Sequence, residues 1–131
     1  VEVEYLGLGD YLVIASSVLG IEAEVLAKAT SLVGGDSALN APAASFGGVE
    51  FYPDFPSKVA ILGYRLARNH ALPDGNKRTA LLAMIEFAER NGRRWREFDE
   101  DETVETMVQV AAGTMSEEAF IGWVSRQLED R

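Results

Sequence analysis

His70-Ala71-Leu72-Pro73-Asp74-Gly75-Asn76-Lys77-Arg78-Thr79-Ala80-Leu81-Leu82-Ala83-Met84-Ile85-Glu86-Phe87-Ala88-Glu89-Arg90 is a loop that turns into a helix, and the reading of the whole chain depends on it. Pro73 and Gly75 break whatever precedes them. From Asn76 to Arg90 no breaker intervenes, and Asn91-Gly92 is a stop signal. Ala80, Leu81, Leu82, Met84, Ile85, Phe87 and Ala88 occupy most of the helix circumference, the pattern of a helix enclosed on nearly all sides. It is therefore expected to be the central helix of an all-α bundle.

Upstream, Val59, Leu62 and Leu66 share one face of a helix predicted over Ser57–Asn69. Before it, Ala44-Ser45-Phe46-Gly47-Gly48-Val49-Glu50-Phe51-Tyr52-Pro53 has paired glycines flanked by strand-forming residues. This reads as one small β-hairpin or flap, the one clear strand signal in the chain. Asp10 is a plausible N-cap for a helix ending at Leu19, where Gly20 stops it. A second helix is expected over Glu22–Val33, closed by Gly34-Gly35, and Asp36–Asn40 is expected to add one more turn before Pro42. Downstream, Asp99 and Glu102 have capping-box spacing for a helix to about Ala112, and Ser116 caps a last helix over Glu117–Leu128. The result is a compact helical bundle with one hairpin, a single domain over residues 1–131.

Composition sets bounds on function. The chain has 12 basic and 21 acidic residues, a net charge of −9, so nucleic acid and anionic membrane are not expected as partners. There is no Cys, which removes disulfides and thiolate metal sites. No apolar run reaches membrane-spanning length. Val1-Glu2-Val3-Glu4-Tyr5 lacks the basic start and apolar stretch of a signal peptide, so a cytoplasmic location is expected.

On such an acidic chain a site for an anion must be built locally, and the start of the helix at Asn76 has the parts. The first turn presents unpaired N–H groups and the positive end of the helix dipole. Gly75 has no side chain to obstruct a phosphate, Asn76 adds amide donors, and Lys77 and Arg78 add two cations. Helix starts ordinarily favour Asp and Glu, and a bound anion relieves that mismatch. Asp74, just before the turn, is placed to hold Mg²⁺, which takes few protein ligands and completes its shell with water and phosphate oxygens. His70 is the only histidine and suits a general base for a hydroxyl nucleophile. Singly, these residues read as a helix cap, a turn and a solvated pair; their order carries the inference. The string is not a Walker-type phosphate loop, because Lys does not directly follow the glycine and the earlier glycine is missing.

At these residues the sequence resembles the Fic/Doc family, whose motif has the form H-x-F-x-[DE]-G-N-[GK]-R-x-x-R. Here it runs through His70, Leu72 in place of Phe, Asp74, Gly75, Asn76, Lys77 and Arg78, with Leu81 where many members have a second Arg. Lys77 and the missing second Arg are similar to the Doc (death-on-curing) branch of toxin–antitoxin toxins. Ser37–Pro42, Phe46–Pro53, Arg68–His70 and Asn91-Gly92 extend the likeness. The resemblance implies a Fic-like fold, with His70 as base and Asp74 as the Mg²⁺ ligand. Gly75, Asn76, Lys77 and Arg78 would hold the phosphates of ATP. It implies a flap, Phe46, Gly47, Gly48 and Val49, that aligns the target by strand addition. It further implies phosphate transfer from ATP to a hydroxyl of a translation elongation factor, and a cognate antitoxin as partner. AMP transfer to a protein hydroxyl is the alternative, and a non-catalytic interaction module with the same fold is the second.

Overall fold

The computed structural model describes residues 2–29, 32–96 and 99–130. Seven helices are assigned within them: α1 (Leu8–Leu19), α2 (Ala23–Ala29), α3 (Leu32–Asn40), α4 (Phe55–Arg68), α5 (Asn76–Arg90), α6 (Glu100–Ala112) and α7 (Glu117–Gln127). A short 3-10 turn, Ala41–Ala43, leads into the hairpin of β1 (Ser45–Phe46) and β2 (Val49–Glu50). β3 (Arg93–Trp95) and β4 (Leu128–Asp130) form a second antiparallel pair. The architecture is all-α with a small flap, as the sequence predicts.

The hub is α4, not α5. Ten of the fourteen α4 residues are buried, against six of fifteen in α5, where Leu82 is exposed and Leu81 and Ile85 are half-buried. α4 packs against α3, α5, α6 and α7. Its tightest approach is to α5 at Gly63, where any side chain would run into the fully buried Met84. The apolar circumference of α5 misled because part of it lines a cleft. The core is one cluster in which Tyr11, Leu26, Ile61, Leu62, Leu66, Phe87, Phe120 and Val124 are almost wholly enclosed. Burying each such side chain contributes roughly 1.5–3 kcal/mol.

Several helix ends differ from expectation. α1 begins at Leu8 with Gly7 as N-cap; Asp10 lies in the first turn, and its carboxylate accepts from the Gly7 N–H at 2.8 Å. Gly34-Gly35 does not end a helix but lies within α3, and the part of the predicted Glu22–Val33 helix over residues 30 and 31 lies outside the described residues. Gly35 is there because α3 crosses close to α1: a Cβ would stand 3.2 Å from the Tyr11 ring. Asp99 caps α6 by accepting from the Glu102 N–H, but no reciprocal box forms. The Glu102 carboxylate instead accepts from Trp123 Nε1 at 2.9 Å. α7 stops at Gln127, and Leu128 enters β4, whose three residues pair with β3. Strands so short and charged carry no alternation that a sequence reading could detect.

Candidate active site

α4 delivers His70 by an unusual exit. Asn69, the C-cap, keeps helical angles, and its N–H still donates to Arg65 O. His70 follows at φ 48°, the sole described non-glycine residue with positive φ. Helices commonly end on a left-handed residue in this place, and it is usually glycine. A side chain there costs about 1–2 kcal/mol. Strain of this kind, held at an exposed imidazole, points to a role for the side chain and not for the backbone. The Asn69 amide donates to Gly34 O at 3.0 Å, tying the exit to α3.

The loop beyond is held from both ends. Ala71 and Leu72 are buried, Leu72 to 4% exposure, so the smaller apolar residue still anchors the loop in the core. Asn76 closes it: its Oδ1 accepts from Leu72 N–H at 3.1 Å and its Nδ2 donates to Leu72 O at 3.0 Å. The Asn76 amide is thus spent on shaping the loop, and what the residue offers an anion is its backbone N–H. Gly75 is needed here for a steric reason of its own. It has φ 72°, and a Cβ would stand 3.0 Å from Leu19 and 3.2 Å from Val18 at the end of α1. The first helical closure of α5 is Thr79 N–H to Gly75 O at 2.9 Å. The N–H groups of Asn76, Lys77 and Arg78 therefore lack partners within the helix.

These elements open on a cleft of about 660 Å³. His70, Asp74, Gly75, Asn76, Lys77 and Arg78 all line it. Lys77 and Arg78 are exposed. Among the described residues neither has a carboxylate within 4.0 Å, whereas Lys58, Arg90, Arg94 and Arg96 are paired. Two such cations at a dipole's positive end create a local potential that favours an anion, on a chain that is acidic overall. The opposite wall is α6, through Glu100, Thr103, Val104, Met107 and Val108, with Leu81 one turn along α5. The sequence reading did not assign α6 to the site. A signal existed: α6 buries Thr103, Thr106, Met107 and Val110 on one face, yet has a further apolar stripe in Val104 and Val108, which remain 58% and 47% exposed.

The flap does not line this cleft. Gly47 and Gly48 turn it at φ 60° and 81°, both positive as a two-residue primed turn requires. Phe46 and Val49 are exposed. Tyr52, just past the flap, donates to Glu117 at 3.1 Å, and burial together with that carboxylate pushes its phenol pKa up. The Tyr11 phenol is pushed up to about 12 by burial and stays protonated in the core.

The sequence profile of the Fic/DOC family matches residues 12–88. Toxin Doc of Mycolicibacterium smegmatis is 41% identical over 109 residues, covering 82% of this chain and 81% of its own length. No described helix is long and apolar enough to cross a membrane. The flap, the His70 loop and the first turn of α5 all fall inside the matched region, and on that agreement of sequence and site the chain belongs to the Fic/DOC family.

Proposed function

We propose that this protein is a Doc-like toxin that transfers a phosphate from Mg·ATP to a hydroxyl side chain of a target protein, a translation elongation factor, and so arrests translation. The observation that carries this reading is the convergence of His70, Asp74 and the cationic first turn of α5 on one cleft. Phosphoryl transfer asks little covalent chemistry of a protein: a positioned hydroxyl, a base and compensation for phosphate charge. His70 takes the hydroxyl proton as the oxygen bonds to phosphorus and ADP leaves. The free N–H groups of the first α5 turn, with Lys77 and Arg78, hold the phosphates, and Gly75 and the Asn76 side chain keep that turn in shape.

Asp74 fits a Mg²⁺ site. It is exposed on the cleft beside the phosphate-binding turn, and one carboxylate plus phosphate oxygens and water is a usual Mg²⁺ environment. The ion would supply charge neutralisation at the phosphates. Asp74→Asn is expected to weaken Mg·ATP binding at least tenfold while binding of ATP in EDTA changes little. Calorimetry checks this, and unchanged Mg·ATP affinity would leave Asp74 as a turn residue only.

Leu81 on the cleft, where a second cation would favour the AMP-transferring orientation, supports phosphate over AMP transfer, as does the long Lys77 stem. Incubation of a bacterial lysate with ATP labelled at either phosphorus tests the reading. Label passing to protein from the γ position alone is expected; label from α means AMP transfer, and none means a binding module. The double change Lys77→Gly with Leu81→Arg is expected to move labelling from γ towards α. A cognate antitoxin is the natural partner of such a toxin, and the exposed Val104 and Val108 offer it an apolar edge of the cleft to cover.

A further inference from the structure

The flap is too small to hold itself. Its strands have two residues each, and an isolated hairpin is marginal even when longer. Phe46, Val49 and Phe51 are exposed, so apolar burial contributes little. Besides the Tyr52–Glu117 bond just past its exit, what ties it down comes from the first turn of α4. The Lys58 side chain is only 3% exposed, a state lysine almost never adopts unless paired. Its Nζ donates to Pro42 O at 3.1 Å, on the limb entering the flap, and to Glu50 Oε1 at 2.7 Å, on the limb leaving it. The Tyr5 ring lies beside the ammonium, 5.7 Å from its centroid. Replacing a buried ion pair as a whole by apolar residues of similar volume is often neutral or stabilising, so stability alone does not account for a buried ammonium here. What the ammonium adds is direction: it bonds both limbs to the helix that leads to His70.

We propose that Lys58 and Glu50 form a latch that sets the flap's height and register for an extended segment of the target protein, with Lys58 a positioning residue for target and not for ATP. The proposal rests on the flap being the target-aligning edge. α4 then acts as the common reference, with the latch at its start and His70 just past its end.

The test uses the whole chain with two readouts. Hydrogen exchange of the segment 42–53 is compared in wild type, Glu50→Gln, Lys58→Met and the double variant. Transfer from γ-labelled ATP is measured across a dilution series of bacterial lysate. Both single variants are expected to speed exchange in 42–53 at least tenfold, with α5 unchanged. Each should raise the lysate concentration for half-maximal labelling about fivefold, with the maximal rate and the KM for ATP within twofold. The double variant should be no worse than the more affected single, because the pair acts as a unit. Glu50→Gln, at a half-exposed position, keeps the test valid should Lys58→Met fold poorly. Unchanged exchange means there is no latch. Faster exchange with unmoved half-saturation, while Val49→Pro does shift it, means the latch does not position the target. If Val49→Pro shifts nothing either, the flap reading itself fails and the latch proposal falls with it. If wild type labels no protein, the proposed transfer fails and the positioning proposal with it, whatever the exchange result.

Discussion

His70→Ala is expected to lower phosphate transfer by about 10²–10⁴-fold, the usual worth of a positioned general base. ATP binding should be nearly unchanged, because the proposed anion site is built by α5 and not by the end of α4. The left-handed backbone at φ 48° adds a second arm. His70→Gly should lose transfer equally, yet be more stable than His70→Ala by about 1 kcal/mol, since glycine adopts that angle without a Cβ clash. Labelled-ATP assays and thermal unfolding of the three proteins check both arms. Transfer by either variant near the wild-type rate would place the base elsewhere. Equal stability of the two variants would mean that the backbone relaxes when the imidazole is gone.

Gly63→Ala carries the largest expected effect on the fold. An alanine within a helix ordinarily gains up to about 1 kcal/mol over glycine. Here the added methyl would stand 2.6 Å from Met84 Cγ and 2.8 Å from its Cε, and closer still to its sulfur. Met84 is fully buried, so any shift of its side chain has to be taken up inside the core. Overpacking of this kind costs about 1–3 kcal/mol net, a fall of roughly 4–15 °C in Tm for a domain of this size. The same change made in a Met84→Ala background should cost far less, because the two sites share one space. A rise in Tm for Gly63→Ala alone would refute the close approach. Because α4 leads to His70 and α5 begins at the turn proposed to bind phosphate, forcing the two helices apart should also slow transfer.

Much of this site was legible in the sequence, for identifiable reasons. His70, Asp74 and the turn from Gly75 to Arg78 lie within nine residues of sequence, so local order alone places them near one another, and the glycine and proline between them allow only a loop entering a helix. The flap was legible because Gly47-Gly48 between strand formers demands a primed turn. The role of Asn76 was not: an amide side chain looks the same whether it meets a phosphate or, as here, the Leu72 backbone. Lys58 was also hidden, since a lysine in a helix sequence reads as solvated until the limbs around it are placed.

Taken alone, then, the sequence determined the helix count approximately, the caps at Gly20 and Ser116, the turn at Gly47-Gly48 and the loop-to-helix junction at Gly75. Each of these depends on backbone preferences acting within a few residues. Tertiary structure alone decided that α4 and not α5 is the hub, that Gly34-Gly35 continues a helix, and that Leu128 leaves α7 to pair with β3. It also decided that α6 closes the cleft and that Lys58 bonds both limbs of the flap. Those outcomes are set by which surfaces meet. A glycine stays in a helix when a neighbouring ring needs its missing Cβ, and an apolar stripe left at a cleft is indistinguishable in sequence from one buried in a core.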